Sequence, residues 1–160
     1  MSVMDAIALA VGAAAVAEDL WRRRISNWIS GLALAGGLFC HLGETGWRGG
    51  LVALGGVGVG FTVFLPFYLL GGMGGGDLKL MAGFGSMLGP ASVLRAAWIT
   101  ALAGGAMAVV WLVAFRLARL ARRRGWVSAA GPEPVASSIP YAPAIVLGAW
   151  MAGLGWFARG

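Results

Sequence analysis

Six carboxylates are all the acidic chemistry that the 160 residues carry: Asp5, Glu18, Asp19, Glu44, Asp77 and Glu133. Beside them stand one histidine and one cysteine, His41 and Cys40. A lone Cys next to a lone His builds neither an internal disulfide nor a tetrahedral metal site, and both read as packing or interfacial side chains. Asp19 and Asp77 stand apart, because each lies where an apolar run meets a basic or glycine-rich stretch. Each also has an ordinary explanation. Asp19 sits three and four residues before Arg22 and Arg23, spaced for neutralisation along one helix face. Asp77 follows Gly74-Gly75-Gly76 and would serve as a helix N-cap. Residues 71–76 hold five glycines in six positions, more than a turn needs. Such a backbone can unwind and present an extended stretch beside Asp77. It is no phosphate-binding P-loop, since Asp77-Leu78 rather than Gly precede Lys79 and neither Ser nor Thr follows it.

The elements that must position these groups are membrane helices. Hydrophobic residues make up 59% of the chain and charged ones 11%, against about 25% charged in soluble domains; mean hydropathy is +0.83. Six apolar runs stand out, at residues 3–20, 27–42, 50–72, 78–94, 96–117 and 139–157, the fourth interrupted by Gly83, Gly85 and Pro90. The expected fold is an all-α polytopic membrane protein of about six transmembrane helices, with residues 1–160 forming a single domain.

The net charge of +6 does not point to nucleic acid, because the basic residues cluster at the ends of apolar runs. With six crossings, nine basic residues (Arg22, Arg23, Arg24, Lys79, Arg116, Arg119, Arg122, Arg123 and Arg124) fall on one side, against Arg48, Arg95 and Arg159 on the other. The positive-inside rule makes the first side cytoplasmic and puts both termini outside. The first run has its arginines after it rather than before, the reverse of a cleavable signal peptide. Residues 119–138 read as a cytoplasmic basic loop, broken by Gly131-Pro132-Glu133-Pro134. Gly55, Gly56, Gly58, Gly60, Gly104 and Gly105 offer small surfaces for close helix packing.

This map puts Asp5 and Glu44 at outer ends and Glu133 in the loop, where water solvates them. Asp19 and Asp77 share the cytoplasmic face. His41 falls on the opposite face, so no Ser/His/Asp set can assemble, and the two carboxylates are what remains for catalysis. Two carboxylates close together share one proton: the charged member draws a proton from water while the protonated one polarises a scissile carbonyl.

Gly74-x-Gly76-Asp77 followed by Leu78-Lys79-Leu80-Met81-Ala82 resembles the GxGD signature of the type IV prepilin peptidases, membrane aspartic proteases that trim pilin leaders. The segment from Asp19 through Arg22, Arg23, Arg24, Ile25, Ser26 and Asn27 is similar to the family's Asp followed by Arg, Ile, Pro and Asn, with Ser26 where Pro is usual. Ile139-Pro140-Tyr141-Ala142-Pro143-Ala144-Ile145 resembles the proline-rich start of the family's last helix. The resemblance implies a bacterial inner-membrane aspartic endopeptidase with Asp19 and Asp77 as the catalytic pair. Gly74, Gly76, Lys79, Arg24, Asn27, Pro140 and Pro143 would support the site, with no metal and no cofactor. Lys79 would either bias the charge of the pair or contact lipid phosphate. With only Cys40, the chain lacks the four-cysteine region of longer, methylating members. It looks like the short, peptidase-only branch that processes Flp-type prepilins, a substrate that lies in the lipid bilayer with its basic leader inside. Two other classes fit parts of the pattern: a small proton- or cation-coupled transporter using the same aspartates, and a non-enzymatic assembly subunit. The presenilin-type relatives are disfavoured, because Glu18 rather than Tyr precedes Asp19.

Overall fold

The computed structural model describes residues 2–123 and 141–153. All secondary structure among them is helical: α1 (Val3–Arg22), α2 (Asn27–Thr45), α3 (Trp47–Leu69), α4 (Gly75–Arg123) and α5 (Ala142–Gly153). Trp47–Leu69 and Gly75–Arg122 are long and apolar enough to cross a membrane. α1 is opened by a reciprocal cap in which the Ser2 hydroxyl accepts the Asp5 N–H at 3.1 Å and the Asp5 carboxylate accepts the Ser2 N–H at 2.8 Å. That cap accounts for Asp5 without any catalytic role.

α4 is not one rod. Gly89, at φ 70° and ψ 172°, interrupts it and leaves two limbs, residues 75–88 and 90–123. The sequence reading divided this region at Arg95; the divide falls at Gly89 instead. The positive φ suits glycine, Pro90 has no N–H to continue the ladder, and proline disfavours helical geometry in the residue before it. Arg95 lies inside the second limb, where its guanidinium donates to the Ser92 hydroxyl at 3.0 Å. The second limb continues to Arg123, into the stretch 119–138 expected to be loop. The remainder of that loop lies outside the described residues, as does the end of the last apolar run beyond Gly153.

The first limb of α4 is the centre of the bundle. Leu78, Leu80, Met81, Ala82, Phe84 and Met87 are all buried, and α4 packs against each of the other four helices. At 1.5 Å per residue this limb is about 21 Å long, less than the roughly 30 Å of a bilayer core. Its neighbours cover it, so its length need not match the lipid. α3 crosses it closely: a Cβ on Gly85 would collide with the Gly56 carbonyl, and one on Gly56 with the Gly85 carbonyl. Gly60 likewise faces the Met81 carbonyl. Gly58 and Gly105, also expected at helix contacts, are exposed instead, and a Cβ at either would meet nothing within 4 Å among the described residues. On the second limb of α4, Leu102, Val109, Val110, Leu112, Val113 and Leu117 are exposed, a surface suited to lipid rather than water.

Candidate active site

Asp19 lies in the last turn of α1. The helix stops at Arg23, whose left-handed backbone (φ 51°, ψ 35°) turns the chain while its N–H still reaches the Asp19 carbonyl at 2.8 Å. The Asp19 side chain is only 6% exposed, and its Oδ2 accepts the N–H of Ala142 at 3.1 Å. Ala142 is the first residue of α5, so its N–H has no partner within its own helix. The carboxylate therefore caps a helix far along the chain, at the end where the helix dipole favours negative charge. Pro143, next in that first turn, is tolerated there because its missing N–H would have no intrahelical partner. Arg22 does not neutralise Asp19. Its exposed guanidinium reaches Glu18 at 3.8 Å instead, while Arg23 lies within electrostatic reach of Asp19.

Asp77 enters from the first turn of α4. The helix opens at Gly75, which makes Asp77 its third residue rather than its N-cap. From there its Oδ2 reaches back to accept the Gly74 N–H at 3.2 Å, the carboxylate half of a capping box. Asp77 is 9% exposed, and the two carboxyl groups lie within electrostatic reach of each other. The extended stretch expected beside Asp77 is not what forms, because Gly75 and Gly76 are already helical. The turn in the run lies earlier, with Gly71 at φ 73°. Gly76 instead makes room for the chain itself: a Cβ there would stand 3.1 Å from Ile25 Cβ and 3.3 Å from the Ile25 carbonyl oxygen.

The loop between α1 and α2 thus lies over the start of α4, and three further hydrogen bonds hold it. Lys79 Nζ donates to Asn27 Oδ1 at 3.0 Å, so its ammonium is directed to the loop. Glu18 takes both donors of Ser26, the N–H on Oε2 at 2.8 Å and the hydroxyl on Oε1 at 2.6 Å.

The junction gathers Asp19, Asp77, Gly74, Gly76, Asn27 and Lys79, with Pro143 one residue beyond Ala142. It does not gather Arg24, which is exposed and makes no hydrogen bond or ion pair among the described residues. Pro140 lies outside those residues. Glu18 and the Ala142 N–H are the parts that sequence reasoning missed. Glu18 lies eight residues before Ser26 and is one of only six acids in the chain, which was the available signal. A backbone N–H leaves none. Among the described residues no three His, Cys, Asp or Glu side chains are gathered to hold a metal. A groove of about 470 Å³ with apolar walls that include Phe64, Phe67 and Trp98 reaches Met73 and Tyr141, the neighbours of Gly74 and Ala142 in the chain.

This arrangement can do acid–base chemistry: two sheltered carboxyl groups, each anchored through one oxygen by a backbone N–H. No curated protein and no solved structure matches the chain. A family model does, across residues 6–109, a stretch that contains both aspartates, the α1–α2 loop and the glycine-rich turn. It is the model of the type IV leader peptidases, and with about two thirds of the sequence matched, the chain belongs to the type IV leader peptidase family.

Proposed function

We propose that this peptidase removes the leader from a type IV prepilin of the Flp type at the cytoplasmic face of the bacterial inner membrane, with Asp19 and Asp77 as its catalytic pair. The observation that carries the reading is the burial of both carboxyl groups in one junction, within electrostatic reach of each other. Such a pair holds one proton between two sites. The charged member takes a proton from water, the resulting hydroxide adds to the scissile carbonyl, and the protonated member donates to the carbonyl oxygen. Collapse of the tetrahedral intermediate breaks the C–N bond: the leaving amine takes up the proton drawn from water, and a hydroxyl of the intermediate returns one to the other carboxylate as the C=O reforms, so the pair again holds one proton. No covalent intermediate is needed.

The break at Gly89 supports two crossings within α4, hence six in all with both termini outside. That topology places the junction on the side of most arginines. A basic leader would wait there while the apolar segment after the cleavage point lies against the groove at Met73 and Tyr141. The transporter reading is weaker, because both acids sit at helix ends rather than near the middle of the bundle.

The test is processing of a co-expressed Flp-type prepilin in membranes by wild type, Asp19→Asn and Asp77→Asn at matched protein levels. Both variants should lose at least about 100-fold in rate. If either processes at the wild-type rate, that aspartate is structural and the dyad is wrong.

A further inference from the structure

We infer that Glu18 and Ser26 form a positioning clasp that sets Asp19 against Asp77. The inference rests on the dyad reading above. Glu18 is the residue before Asp19, and it binds both donors of Ser26 across the turn that ends α1. Ser26 stands between Ile25, which lies against Gly76, and Asn27, which receives the Lys79 ammonium. Three consecutive residues where the loop runs into α2 therefore make three different connections: Ile25 to the residue before Asp77, Ser26 to the residue before Asp19, and Asn27 to a residue two beyond Asp77. Without the clasp the loop would still touch α4, but its registration on the end of α1 would be lost. The turn also carries local strain, since Arg23 holds a left-handed backbone that a side chain disfavours.

The carboxylate suits this task because Ser26 offers two donors and Glu18 two acceptor oxygens. Arg22, at 3.8 Å with an exposed guanidinium, adds little. The clasp is a positioning device, not a catalytic one: neither residue supplies the shared proton, and the effect on the reaction runs through the separation of the two aspartates. Misplacement of catalytic groups by about 1 Å costs on the order of 100-fold.

The backbone of Ser26 supplies a rescue. Its φ of −67° and ψ of 139° are values that proline adopts without strain. Proline at position 26 would restrict the loop covalently and remove the N–H that Glu18 satisfies.

Glu18→Ala should lower kcat per folded molecule about tenfold at little change in KM, and Glu18→Ala combined with Ser26→Pro should recover most of that loss. Prepilin cleavage in detergent, normalised to folded protein, measures both. Amide hydrogen exchange supplies a readout that needs no activity. In Glu18→Ala the Ser26 amide should lose protection and so should the Ala142 amide, which is bound to Asp19 and is far from the mutation in sequence. If Glu18→Ala does not fold, Glu18→Gln, which keeps one acceptor, is measured in its place and should fall between wild type and the expected loss. Wild-type kcat in Glu18→Ala (or Glu18→Gln in its place), no recovery in the double variant, or loss of protection at Ser26 with Ala142 unmoved would each overturn the clasp. Absence of cleavage by the wild type would instead overturn the leader-peptidase reading, and the two amides would still decide whether Glu18 positions Asp19.

Discussion

Two places in the bundle bring helices together by opposite means. Where α3 crosses at Gly56 and Gly85, contact depends on the absence of side chains, and backbone lies on backbone. Around Asp19 and Asp77, contact depends on polar groups reaching over long stretches of sequence, from Asp19 to Ala142 and from Asn27 to Lys79. The first arrangement tolerates almost no change in shape and carries no chemistry. The second is built from replaceable bonds, and the chemistry proposed for Asp19 and Asp77 is what a substitution there should remove first. Stability and activity should therefore separate along this division.

The strongest way to break the comparison is at the aspartates. Asp77→Asn and Asp19→Asn keep an acceptor oxygen for Gly74 and Ala142, so prepilin processing should fall at least about 100-fold while insertion and thermal midpoint change little. A large drop in midpoint would mean that the junction is structural after all. Gly85→Val should do the reverse, costing about 3 kcal/mol of stability through backbone overlap with Gly56. Denaturation in detergent measures it, and rate per folded molecule should move much less. Gly76→Val should cut cleavage about tenfold by pushing Ile25 away from α4; unchanged turnover would show that the loop can give way without disturbing the pair. Smallest is Lys79→Met, which removes the bond to the exposed Asn27. A loss of about threefold is expected, and Asn27→Ala should add nothing to it, since both variants delete one interaction.

How much of this was legible in the sequence follows the same division. Asp19 and Asp77 declared themselves because charge is scarce in an apolar chain, and Gly56 because small residues are what close helix packing requires. The divide in α4 was misplaced to Arg95 because a charge drew more weight than Gly89-Pro90, although only the latter pair carries a backbone reason to break. The glycine run, by composition, permits an extended stretch beside Asp77. Its last members are helical because Asp77 caps Gly74, a bond that depends on where the helix begins. Ala142 was invisible, since what it contributes is a peptide N–H common to nearly every residue.

The bond from Asp19 to Ala142 spans 123 residues, and that separation also has a meaning in time. At synthesis rates of about 5–20 residues per second, Ala142 is made roughly 6–25 s after Asp19. Through that interval Asp19 lacks the helix end that fixes its carboxylate. The junction that Asp19 and Ala142 form is therefore complete only when the last described helix arrives.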